Sequence, residues 1–121
     1  MDAKEKIKEG VQLYFDSMYE SDPEKVRQAF HPNAMITGYL ETGLAEMNVD
    51  QFAEFVESQD PSPKEKGDEI LLEIVSCDIA GSTASVSVRD GYIGHVFLDT
   101  LSFLEKDGEW KIYNKLFHVE S

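Results

Sequence analysis

The segment HVFLDTLSFLEKDGEWKIYNKLFHV, residues 95–119, decides the fold. Two runs rich in aromatic, β-branched and aliphatic residues flank Asp107-Gly108, a dipeptide that accepts the positive φ angles of a two-residue hairpin loop. With these two residues as the loop, Lys106 pairs with Glu109, Phe103 with Ile112, Leu101 with Asn114, Asp99 with Leu116 and Phe97 with His118. Side chains alternate across a strand, so these pairs share one face with Trp110 and His95.

That face changes character along its length. It is apolar beside the loop, at Phe103, Ile112, Leu101 and Trp110. Farther out, Asp99, Asn114, His118 and His95 stand among Phe97 and Leu116. Asn114 and His118 are diagonal neighbours of Asp99, about 7–8 Å away and within side-chain reach. Polar groups on a core-facing surface must be hydrogen-bonded or line a cavity. The expected shape is a cone, dry at its apex and polar at its mouth. A three-residue loop or a bulge would swap the faces and turn Lys115 and Thr100 inward instead. The opposite face, with Val96, Leu98, Tyr113, Phe117 and Val119, is too apolar for bare solvent, which points to a homodimer packed sheet to sheet.

Upstream, Ile7, Val11, Tyr14, Phe15 and Met18 recur at helical spacing between Asp2 and Glu20. Asp22-Pro23-Glu24 opens a short second helix that stops before Pro32. Ala34 to Leu40 reads as a strand, and Gly38 and Gly43 loosen the stretch up to Met47. Asn48 with Gln51 forms a capping-box start for a third helix burying Phe52, Phe55 and Val56. Gln59 to Gly67, with Pro61 and Pro63, reads as loop. Glu69 to Ile79, the alternation Ala84, Val86, Val88, and a turn at Asp90-Gly91-Tyr92-Ile93-Gly94 complete a β-rich second half. The expected architecture is α+β: a cone-shaped, curved antiparallel sheet around three N-terminal helices, one domain over residues 1–121.

A formal net charge of −13 repels phosphate backbones and anionic headgroups, so neither nucleic acid nor membrane is an expected partner. No apolar run reaches the roughly 20 residues of a membrane span, and no secretory leader is read at Met1 to Lys6. Cys77 is the only cysteine. The expected setting is cytoplasmic. The histidines His31, His95 and His118 show no ligand-spaced pair, and no glycine-rich phosphate loop is present, so neither metal nor cofactor is expected.

Phe30-His31-Pro32-Asn33-Ala34, the Asp99-Thr100-Leu101 segment and the terminal run Trp110-Lys111-Ile112-Tyr113-Asn114-Lys115-Leu116-Phe117-His118 together resemble the nuclear transport factor 2-like superfamily, with its SnoaL-type proteins. They are most similar to its Putative lumazine-binding branch. The resemblance implies the cone fold and a ligand pocket inside it. Enzymes of the superfamily place an acid or base on the inner sheet face with a tyrosine from the first helix, which by position implies Asp99, His118 and Tyr14. The strand Met35-Ile36-Thr37-Gly38-Tyr39-Leu40 departs from the ketosteroid isomerases, which carry a carboxylate there.

Two readings result. In a binding module for a small apolar or heteroaromatic ligand, His95, Phe97, Asn114, Leu116, Trp110, Tyr39 and Met18 line the pocket. In a dehydratase or isomerase, Asp99 orients His118 as general base while Tyr14 or Tyr39 polarises a carbonyl. A third class is a protein-interaction domain that uses the outer sheet face. Binding is the reading preferred here over catalysis.

Overall fold

The structure, a computed structural model, describes residues 2–121. Helix α1 (Ala3–Tyr19) starts where the Asp2 carboxylate accepts the Glu5 amide, and buries Ile7, Val11, Tyr14, Phe15 and Met18. Helix α2 (Pro23–Ala29) follows an Asp22 cap that accepts the amides of Glu24 and Lys25. Strand β1 (Phe30–Leu40) and strand β2 (Gly43–Asn48) form a hairpin. Helix α3 (Val49–Glu57) opens on the complete Asn48–Gln51 capping box. The expected Gln59–Gly67 loop contains a one-turn helix, α4 (Pro63–Lys66). A second capping box, Ser62 with Glu65, satisfies its first amides, and Gly67 closes it in the left-handed region.

Four long strands complete the chain: β3 (Leu72–Ala80), β4 (Thr83–Tyr92), β5 (His95–Lys106) and β6 (Glu109–Val119). The six-stranded sheet has the order β2-β1-β6-β5-β4-β3. Every neighbouring pair is antiparallel except β1 and β6, which run parallel and bring the first strand beside the last. The sheet is therefore mixed. Its concave side wraps the helices, and Tyr14, Phe30, Phe52, Val86, Leu101 and Ile112 belong to one buried core. Phe30 packs edge-on against both Tyr14 and Phe52, at 5.9 and 5.7 Å between ring centroids. Among the described residues, no helix is long and apolar enough to cross a membrane.

Asp107 and Gly108 adopt φ of 53° and 80°, so the last hairpin turns as the dipeptide predicts, and Lys106 pairs with Glu109. The register then departs from simple alternation. Phe103 faces Ile112, but Ser102 faces Asn114, leaving Tyr113 as the extra residue of a bulge. Beyond it β6 is turned over, and Lys115, Phe117 and Val119 come to the concave side. β5 is not turned, so Thr100 stays outside and exposed. On the other flank of β6, β1 is irregular at the same level: its register slips between Phe30 and Met35, across Pro32, which has no amide to give the ladder. The His31 ring lies against Tyr113 at 4.8 Å, so the two irregularities are packed on each other.

Candidate functional site

Two strands and one helix build the polar part of the interior. On β4 the inward alternation Ala84, Val86, Val88 continues to Asp90 and Tyr92, because the strand runs through Tyr92 and turns only at Ile93-Gly94, both at positive φ. On β5 Asp99 faces inward opposite Val88, which makes Asp90 its diagonal neighbour. On β6 the bulge sets Lys115 diagonal to Asp99, whose direct partner is Phe117. From α1, Tyr14 reaches across to the sheet. Asp90, Asp99, Lys115 and Tyr14 are 1%, 0%, 6% and 0% exposed, so four ionisable groups share a space closed to bulk water.

The Tyr14 hydroxyl donates to Asp99 Oδ2 at 2.6 Å. Burial pushes the Tyr14 phenol well above its ordinary range, and the charges of Asp90 and Asp99 push the same way, so Tyr14 remains a donor. Burial likewise raises Asp90, to about 9, and the neighbouring Asp99 carboxylate adds to the rise while Lys115 opposes it. After desolvation, the Asp99 side chain raises Asp90 both as a hydrogen-bond partner and as a charge. At neutral pH the cluster contains a carboxylic acid at Asp90. Burial also raises Tyr92.

Lys115 Nζ lies over the rings of Phe52 at 4.7 Å, Tyr14 at 4.8 Å and Phe117 at 5.6 Å. Among the described residues no carboxylate is within 4.0 Å of it. Among the described residues, four buried side-chain atoms have no hydrogen-bond partner: Asp90 Oδ2, Asp99 Oδ1, Tyr92 Oη and Trp110 Nε1. Tyr92 also lines a cleft of about 610 Å³ shared with Tyr19, Lys66, Leu71, Ile93 and His95, at the end of the sheet opposite the 107–108 turn, and none of the four ionisable groups lines it. A second hollow, about 490 Å³, lies across Ile79, Ala84, Ser102 and Tyr113 and touches none of the four ionisable groups.

Of the residues singled out from the sequence, Tyr14 and Asp99 meet directly, and Met18 and Trp110 are buried in the same core. Phe97 is half-buried and packs edge-on against Phe117 and His95. Asn114, Leu116 and His118 are corrected to the convex face, where all three are exposed, because the Tyr113 bulge turns them over. Tyr39 is also on that face and 72% exposed. His95 is exposed, with Nδ1 3.2 Å from the Ser121 carbonyl oxygen. No pairing of Asp99 with His118 exists, so the base expected at His118 has no access to the interior. Asp90, Tyr92 and Lys115 were not expected there as site residues. Two further steps along the β4 alternation reach the first two, whereas Lys115 depends on the bulge.

The sequence model of the family described as Putative lumazine-binding matches residues 2–118. The chain belongs to this family. Its fold is nuclear transport factor 2-like. A nuclear transport factor 2-like protein from Silicibacter pomeroyi superposes with a TM-score of 0.89 at 24% identity, covering 99% of this chain and 100% of its own. One from Methylobacillus flagellatus gives 0.85 at 26%, covering 100% and 96%. Aldolase FrzH from Cladobotryum sp. is 22% identical over 105 residues, which span 87% of this chain and 82% of that protein. The lumazine-binding family and its fold support a ligand-binding or SnoaL-like domain.

Proposed function

We propose that the concave interior binds a small planar ligand bearing both hydrogen-bond donors and acceptors, with Asp99 and Asp90 as its polar anchors. The observation that carries this reading is the set of unpartnered buried atoms: Asp99 Oδ1 calls for a donor, and the Asp90 acid and Tyr92 hydroxyl have donors to give. A buried polar atom left without a partner costs about 1–3 kcal/mol, which a ligand or a water offsets. The rings of Phe52 and Phe117 supply flat apolar contact. A heteroaromatic imide, which carries N–H and C=O side by side, has the matching pattern, and the family's description agrees with it. Titration with lumazine, followed by Trp110 fluorescence, tests the reading. Saturable binding that Asp99→Asn weakens supports it; no binding to the native chain sinks it.

A second reading is proton-transfer catalysis on a carbonyl compound. It is favoured by Asp90, an acid with a pKa of about 9, beside the carboxylate of Asp99 and the phenol of Tyr14. The distant likeness to an aldolase supports the same chemistry. Here Asp99 serves as base in place of His118.

The convex face fits self-association, in a cytoplasmic setting. Tyr39, Leu44 and Leu116 are 72%, 53% and 57% exposed, and β2, β1 and β6 lie side by side, so a second copy related by a two-fold axis would lay this patch on itself. Light scattering on the native chain and on Leu116→Asp tests it: a dimer converted to monomer is the expected result, and a native monomer removes the proposal.

A further inference from the structure

We propose that Lys115 is the covalent nucleophile of the interior, forming a Schiff base with an aldehyde or ketone. The inference rests on the reading of the interior as a ligand site and adds to it the class of substrate.

Lysine is almost never fully buried unless paired. Lys115 is 6% exposed, turned inward by a bulge, set against three aromatic rings and, among the described residues, without a carboxylate in ion-pair range. A buried amine among aromatic rings is in the setting in which lysines serve as Schiff-base nucleophiles. Asp90, Asp99 and Tyr14 line the same face, and one buried oxygen of each carboxyl group has no hydrogen-bond partner.

The chemistry balances with the groups present. Once the Lys115 ammonium has released a proton to water, its nitrogen adds to the carbonyl carbon, forming a C–N bond while the C=O π pair moves to oxygen. The proton lost by nitrogen passes to that oxygen, giving a carbinolamine. Asp90 then protonates its hydroxyl, which leaves as water as the nitrogen lone pair closes C=N⁺. One water is released, nothing is oxidised or reduced, and the iminium cation stands beside a newly formed Asp90 carboxylate. Where the substrate has an α-hydrogen, Asp99 can accept that proton, leaving an enamine whose carbon is nucleophilic.

The test is trapping with benzaldehyde and sodium borohydride, read by peptide mass mapping. The expected result is a benzyl group on Lys115 ahead of the surface lysines. Lys115→Arg is expected to lose it, and Asp90→Asn to slow its formation by roughly a hundredfold. Labelling that ignores Lys115, or that is spread over the surface lysines unchanged in Lys115→Arg, overturns the proposal. Thermal melting with benzyl alcohol, which has no carbonyl, separates the two readings. A raised melting temperature without trapping leaves the ligand site standing and removes the Schiff base; neither effect removes both.

Discussion

Tyr14 Oη donates to Asp99 Oδ2 at 2.6 Å, joining the first helix to the fifth strand inside the core. Both residues are fully buried, so this bond has no water to replace it. Tyr14→Phe keeps the ring and its contacts with Phe30 and Lys115 but leaves both oxygens of Asp99 without a donor. The expected loss is about 2 kcal/mol in urea unfolding. A change under half of that would mean that water already serves the carboxylate.

Asp90 makes stability depend on pH. In the unfolded chain its carboxyl ionises near 4, while in the fold it does so at about 9. Between those values the folded state holds one proton more, so stability falls as pH rises through the window and the full loss is reached above the folded value. Asp90→Asn removes this slope. The native chain is expected to lose on the order of a few kcal/mol between about pH 5 and pH 9 relative to the variant, measured by denaturation at each pH. Parallel profiles would mean that Asp90 is ionised in the fold at neutral pH.

Gly38 pairs with Phe117 where β1 runs beside β6. A Cβ there would lie 2.5 Å from both Phe117 Cδ1 and the Phe117 carbonyl oxygen, one of them backbone that cannot give way. Gly38→Ala is expected to cost about 3 kcal/mol and to disturb the Phe117 ring over Lys115. Gly10→Ala is the contrast. Its Cβ would meet Phe103 Cε2 at 2.9 Å, the edge of a ring that can shift, and a gain of about 1 kcal/mol in helix propensity offsets the crowding. Melting temperatures of the two variants check the difference.

His118 is exposed on the convex face, on the far side of the sheet from Asp99. His118→Gln is therefore expected to change lumazine affinity, or any turnover of a carbonyl compound, by less than about twofold, a few tenths of a kcal/mol. Lys115→Met, by contrast, should alter both and push the Asp90 acid higher, since the cation opposes that rise. A large effect at His118 would restore the simple hairpin register.

Much of this was legible in residues 95–119 and their neighbours. Asp107-Gly108 set the turn, because few residues accept two successive positive φ angles. The helical spacing of Ile7, Val11, Tyr14 and Met18 set the buried side of α1. Asn48 with Gln51 set the start of α3. Asp90 was within reach of the period-two pattern, but Gly91 and Gly94 read as a turn around it, and only the pairing of Gly91 with Val96 shows the strand continuing.

By itself the sequence determined the local elements, their apolar faces and the presence of a carboxylate and a phenol on surfaces bound for the core, since those depend on backbone sterics and side-chain spacing. Only the tertiary structure decided which half of β6 faces inward. A bulge is a choice made between strands: Pro32 interrupts β1, Tyr113 is extruded beside it, and every side chain beyond exchanges sides. That exchange puts a lysine where a histidine was expected, and the chemistry proposed for the interior depends on it.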